Sequence, residues 1–392
     1  MKAELGLARR WYLVPDGLPG EEPVVTASFE SDPAAGAPRA RLSPGGAEFP
    51  FVHGSGAAWS ARISLAGLSP GEYAVELIER VAGAGDVASA RAEVSFRVSR
   101  PEYVVWTLDF EGDASGDAEL ANTAAIADGL NVPMSILWNP RAWTTAQVSG
   151  ERQEAMLAWA KARLAKGDEV GLHLHMWTDF VRAAGVAARA APSWAGRGDG
   201  YDVPIQTYSE EEQRDLVAYG TRLMTERGLP RPTSFRAGGD MGDATTLRVL
   251  AAQGFTVDCS AVPRTAPPIG RIPYPWTLAA EAQPYRPSGS DANAMGDLPI
   301  LEAPTIGGNT YGFTVRSIQA QLRANLAVFA PAGGVATERR AITIVSHPGT
   351  IAAPERAAIE ALLAAFAPLR YDRDAGPVRF VTLAQLAQAY SR

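Results

Sequence analysis

Glu169-Val-Gly-Leu-His-Leu-His-Met-Trp177 is the stretch on which the fold turns. Its apolar body reads as a strand, and alternate residues of a strand point to the same face. His173 and His175 therefore share a face, while Leu172 and Leu174 turn into the core. The chain holds only four histidines in 392 residues. Two of them, two positions apart on one strand, can reach a single metal ion. A third, His347, ends the strand-like segment Ile342-Thr-Ile-Val-Ser-His347. Upstream, Asp109, Glu111 and Asp113 repeat the every-other-residue spacing and supply carboxylates that could complete the site. The competing reading is a buried, hydrogen-bonded histidine pair with a purely structural role.

Outward from this strand the pattern is strand, then helix, repeated. Strands are expected at Tyr103–Phe110, Met134–Trp138, Glu169–Met176, Thr233–Ala237, Phe255–Ser260, Pro299–Ala303, Ala341–Ser346 and Arg379–Thr382. Helices are expected over about 117–130, 149–166, 209–227, 243–253, 315–329 and 354–367, with a short one at the end. This order implies parallel strands and an α/β class. Seven or eight such units favour a closed or nearly closed (β/α) barrel over an open sheet. Working residues of such barrels sit at the C-terminal ends of strands. Asp109, His175, Arg236, Asp258 and His347 all fall there.

Residues 1–100 read differently. Tyr73, Val75 and Leu77 alternate, as do Val94, Phe96 and Val98, and Ala82–Asp86 resembles a hairpin connection. Val24–Phe29 and Ala61–Leu65 are further strands. A small all-β sandwich of immunoglobulin or fibronectin type is expected over 1–100, and the barrel over 101–392. Two connections, Thr178–Thr207 and Pro263–Gly296, are much longer than usual and could wall a substrate groove.

The composition, 46% hydrophobic and 20% charged, is that of an ordinary globular protein. A net charge of −7 without a basic run argues against a nucleic-acid partner. No apolar run is long enough for a membrane span. The lone Cys259 excludes an intrachain disulfide and reads as a small buried residue. The first residues, Met1 to Arg10, lack a secretory pattern, so a cytoplasmic location is expected. The other reading is an exported protein whose signal has been removed.

The order of these motifs resembles the polysaccharide deacetylases, the carbohydrate esterases that share the nodulation-type deacetylase domain. The resemblance covers roughly residues 103–385. It implies a distorted (β/α)7–8 barrel that uses a divalent metal, Zn²⁺ foremost, to remove N- or O-acetyl groups from a sugar or glycan partner. In Thr107-Leu-Asp-Phe-Glu-Gly-Asp113 it makes Asp109 the catalytic base and Glu111 the metal ligand, with Asp113 as the runner-up. In Gly171-Leu-His-Leu-His175 it makes His173 and His175 metal ligands. Arg236, in Ser234-Phe-Arg-Ala-Gly-Gly239, steadies the base, and His347 is the acid. Asp258 shapes the groove, and Trp177 is either a sugar-stacking platform or core.

The pattern also departs from the family. The aspartate pair is usually adjacent, the histidines are usually four apart, and a proline and an aromatic usually follow the arginine. The glycines found here instead leave room for a less standard sugar or a non-sugar amide. Two rival functions follow. One is the same fold hydrolysing another C–N amide, of deformylase or cyclic amidase type. The other is a catalytically degenerate glycan-binding protein.

Overall fold

The computed structural model describes residues 4–28, 38–55, 58–81 and 85–391, which fall into two compact units. The first comprises Met1–Glu102 with two later segments, Phe329–Arg339 and Phe366–Arg379. Its strands form two sheets. One orders Glu4–Leu7, Val24–Ser28, Ala58–Arg62 and Val52–His53, antiparallel throughout. The other orders Trp11–Leu13, Gly85–Ser99, Gly71–Val81, Arg39–Ser43 and Glu48–Pro50. Val25, Ala27 and Ala61 of the first sheet meet Leu42, Val75, Leu77, Phe96 and Val98 of the second in one core.

The strand expected over Ala61–Leu65 begins earlier, at Ala58, and ends at Arg62. Ile63 and Leu65 still reach the core, but the chain there is already leaving the sheet. Phe29 and the residues 82–84 of the expected hairpin connection lie outside the described residues.

The second unit comprises Tyr103–Val328, Arg340–Ala365 and Phe380–Arg392. Its sheet orders Leu301–Glu302, Val257–Asp258, Ser234–Ala237, Glu169–Leu174, Met134–Trp138, Glu102–Asp109 and Arg340–Ser346. Every pairing from Glu102–Asp109 through to Leu301–Glu302 is parallel. Every residue of Glu102–Asp109 and Met134–Trp138 is buried, as in a parallel sheet covered by helices.

The covering helices are Asp117–Leu130, Gly150–Leu164, Glu210–Glu226, Ala244–Ala252, Gln319–Val328 and Ala353–Ala364. Local chemistry sets where several of them start. Ser149 and Asp243 accept from Arg152 N and Thr246 N, while Ser209 and Glu212 cap each other reciprocally. No helix among the described residues is long and apolar enough to cross a membrane.

The sheet curls into a parallel half-barrel whose end strands, Leu301–Glu302 and Arg340–Ser346, share no ladder among the described residues. Leu301–Glu302 is only two residues long, and Pro304 follows with no N–H for a ladder. The segment after it lies against Arg340–Ser346 instead. Gly307 N–H donates to Thr343 O, Thr310 N–H to Val345 O and Val345 N–H to Gly308 O, each at 2.9 Å.

Candidate metal centre

Parallel strands bring their C-terminal ends together, and the functional residues follow from that. Asp109 ends its strand and Glu111 stands two residues beyond it. Gly112, at φ +85°, turns the chain where a Cβ would lie 2.9 Å from both Arg141 Cβ and Asn139 Cγ. Three side chains hold this turn. Trp177 Nε1–H donates to the Glu111 carbonyl at 2.9 Å, and Asn139 Nδ2–H donates to it at 3.3 Å. Arg141 Nη1–H donates to the Gly112 carbonyl at 3.0 Å.

The two imidazoles are oriented by backbone carbonyls. His173 Nδ1 lies 3.0 Å from Arg236 O and His175 Nδ1 lies 2.7 Å from Tyr201 O. A carbonyl oxygen only accepts, so both Nδ1 atoms carry hydrogen. In the neutral rings both Nε2 atoms are then bare lone pairs. They face Glu111 Oε2, at 2.7 Å from His175 and 3.8 Å from His173. His173 Nε2 and Glu111 Oε2 are buried and make no hydrogen bond.

With both rings neutral these lone pairs repel unless a metal ion or a proton lies between them. Burial would raise the Glu111 carboxyl, yet His175 and His173 outweigh it and hold it well below the usual carboxylate range. Burial would likewise lower His173, and Asp109 and Glu111 outweigh it and raise it. The ligand atoms of Glu111, His173 and His175 all lie within 4.8 Å of one another. Two imidazole nitrogens and one carboxylate oxygen are the donor set that Zn²⁺ and similar ions take with a position left open. The residues therefore fit a divalent cation. The carbonyls behind each ring are the outer partners such histidines need.

The other expected residues divide. His347 comes to the centre, its Nε2 3.3 Å from Glu111 Oε1. Arg236 is paired across the sheet with His173, and its buried guanidinium donates to Asp109 Oδ1 at 2.9 Å. It also donates to Cys259 O, Thr107 Oγ1 and Thr305 Oγ1. Asp113 is exposed and stands outside the ligand cluster.

Asp258, expected at the groove, has no exposed surface. It is the register partner of Glu302, which is equally buried. Ser260 Oγ–H donates to Asp258 Oδ1 at 2.8 Å, and Ala261 N–H donates to Glu302 Oε1 at 2.9 Å. Burial, then the Asp258 charge, push the Glu302 carboxyl well up, so it keeps its proton and donates to Asp258. Trp177 is only 5% exposed, with the Arg141 guanidinium 3.7 Å over its ring. It supports Glu111 and presents no open face to a sugar. Cys259 is buried, and burial pushes its thiol well up.

The room expected at the third motif is filled. A Cβ on Gly238 would lie 2.6 Å from His175 Nδ1, and one on Gly239 would lie 2.7 Å from Trp194 Cη2. These glycines admit the imidazole and an indole from the loop 178–207, so no spare volume for substrate results. That loop does wall the centre. Tyr201 stacks on His175 at 4.0 Å and 4°, and Arg271 N–H of the second long loop donates to Trp194 O at 2.9 Å.

Sequence reading missed Tyr201 and Asp240. Tyr201 lies in mid-loop, where no periodicity marks it. Asp240 follows the Gly-Gly pair beyond a strand's C-terminal end, which is a usable signal. It adopts φ +60° and places Oδ1 3.8 Å from Arg236 Nε. Burial, with Asp109 and Asp258 nearby, pushes its carboxyl up to about 7 against the pull of Arg236 and His173. A non-glycine residue in the left-handed region beside a buried ion pair is the kind of strain that functional sites hold.

The solved structures similar to this chain include enzymes and a family 4 pseudoenzyme from Bacillus anthracis, the last at 11% identity and a TM-score of 0.35 over 71% of this chain and 66% of that one. The chain resembles polysaccharide deacetylases and family 4 carbohydrate esterases among solved structures, at low identity. In particular, it is similar to a Mycobacterium smegmatis protein described as a polysaccharide deacetylase. That likeness has 15% identity, a TM-score of 0.46, and covers 74% of this chain and 89% of that one. A family 4 carbohydrate esterase from Streptomyces lividans, in complex with acetate, shows 11% identity and a TM-score of 0.34 over 69% and 89% of the two chains. A family 4 acetyl xylan esterase from Clostridium thermocellum, in complex with a cobalt ion, shows 14% identity and a TM-score of 0.37 over 72% and 89%. No protein-family model and no curated protein matches the chain.

Proposed function

We propose that this protein is a metal-dependent deacetylase that hydrolyses the N-acetyl or O-acetyl group of an acylated amino sugar or polysaccharide. The observation that carries the reading is the convergence of Glu111, His173 and His175, with His347 Nε2 3.3 Å from Glu111 Oε1 and the Asp109–Arg236 ion pair close enough to act on His173. Glu111, His173 and His175 would hold the metal, Zn²⁺ in this reading. When bound, such an ion polarises the acyl oxygen and makes water acidic at neutral pH.

The chain supplies the rest. Asp109, steered by Arg236, takes the proton of the attacking water as general base. His347 gives a proton to the leaving nitrogen or oxygen, so the amine or alcohol departs neutral and acetate remains. Buried Arg236 holds Asp109 in one orientation through a charge-assisted hydrogen bond. In this reading residues 1–100 form an accessory domain and residues 101–392 the catalytic one.

The test is hydrolysis by the purified chain with and without metal. Metal content is measured directly, and release of acetate or formate is followed on acetylated and formylated glucosamine oligomers. Stoichiometric metal, acetate release, loss with chelator and recovery with Zn²⁺ are expected. Formate release alone, or acetate release without metal, would overturn the reading.

A further inference from the structure

One aromatic side chain beside His347 is largely exposed. Tyr311 is 66% exposed, and its ring centroid lies 6.0 Å from that of His347 at 82°. Its backbone, in contrast, is firmly held. Tyr311 N–H donates to Asn309 Oδ1 at 2.9 Å. The preceding Thr310 bonds through N–H to Val345 O at 2.9 Å. Thr310 Oγ1 also lies 2.8 Å from Ser346 Oγ and 3.2 Å from Glu355 Oε1. The ring thus projects from a strand-like segment locked to the strand that delivers His347. An exposed aromatic on a fixed backbone loses little freedom when a ligand covers it, which favours a binding role.

The position says what it binds. A proton donor must stand beside the atom that leaves, so the leaving group lies on the His347 side of the scissile bond. A ring next to His347 therefore meets whatever carries the amine or alcohol. Pyranose rings present a face of C–H groups, and the negative face of an aromatic ring attracts polarised C–H edges. We propose that Tyr311 is the platform for the sugar ring that carries the scissile acetyl group, making it a specificity residue for glycans over small acyclic amides. This deepens the deacetylase reading and rests on His347 being the proton donor.

The test separates binding from turnover. Calorimetry on chelated, non-hydrolysing protein with an N-acetylglucosamine pentamer and an acetylated xylotetraose gives affinity alone. Tyr311→Ala is expected to weaken the better ligand about tenfold, the scale of one aromatic contact. Tyr311→Phe should stay within about twofold, because the ring is kept. With Zn²⁺ restored, Tyr311→Ala should raise KM for that glycan about tenfold while kcat changes less than about threefold. Hydrolysis of triacetin, which has no ring, should be unchanged. Equal affinity in wild type and Tyr311→Ala, no glycan binding by the wild type, or an equal loss on triacetin would overturn the platform. Glycan binding that depends on Tyr311 without acetate release would overturn the deacetylase reading and leave the platform standing.

Discussion

Glu111 Oε2 lies 2.7 Å from Nε2 of His175, whose other ring nitrogen already faces the Tyr201 carbonyl. With both imidazoles neutral the contact sets one lone pair against another, and a metal ion or a proton on Nε2 makes it favourable. Replacing Glu111, His173 or His175 with Ala is expected to abolish stoichiometric metal and lower activity by about 100-fold or more. Asp113→Ala should keep both. Metal analysis and acetate release on the four variants decide it, and metal lost only in Asp113→Ala would reassign the ligand.

Gly238→Ala should act as a metal-site mutation although glycine ligates nothing. Its Cβ would press on His175 Nδ1, Cγ and Cε1 at 2.6–2.8 Å, so the ring must tilt off its Tyr201 carbonyl. Misorienting a ligand in this way costs about 10–100-fold in metal affinity. Competition with a chromogenic chelator measures it. Unchanged affinity would show that the imidazole finds another route to the same position.

Arg236→Ala is expected to destabilise the fold by about 3–5 kcal/mol, because it strands a buried carboxylate. Asp109 is 5% exposed, and Arg236 holds it at 2.9 Å. Arg236→Lys should recover only part of the loss, since one ammonium cannot reach Asp109, Cys259 O and Thr305 together. Urea unfolding midpoints of the three proteins are the check.

Asp240→Asn should stabilise the metal-free protein, and more so at high pH. The folded carboxyl titrates at about 7 against an ordinary value of 3.8. Folding therefore favours the protonated acid. Its contribution is fully present below pH 3.8, falls as pH rises, and is lost above 7. Asparagine keeps the shape without the titration. The melting temperature of Asp240→Asn relative to wild type should rise by about 2 °C from pH 5 to pH 8. A flat difference across that range would mean that Asp240 ionises freely.

Much of the barrel was legible because its signals are local. Apolar runs such as Met134–Trp138 and caps such as Ser209 and Asp243 declare strands and helix starts within a few residues. The histidine strand announced its site by spacing alone. The surroundings of Asp258 and Trp177 were not legible for a shared reason. A residue at a strand end can turn toward the groove or toward the sheet interior, and the partner that decides it, Glu302 or Arg141, is distant in sequence.

By itself the sequence determined the alternation of strand and helix, the pairing of His173 with His175 on one face, and the supply of acids and a third histidine at strand ends. Periodicity and capping act over neighbouring residues, so they can be read from a string. Only the tertiary structure decided that Glu111 and not Asp113 meets the imidazoles, that Gly238 and Gly239 make room for His175 and Trp194, and that Asp240 faces Arg236. Each of these is set by which loop crosses which strand end, through burial and contact between residues far apart in the chain.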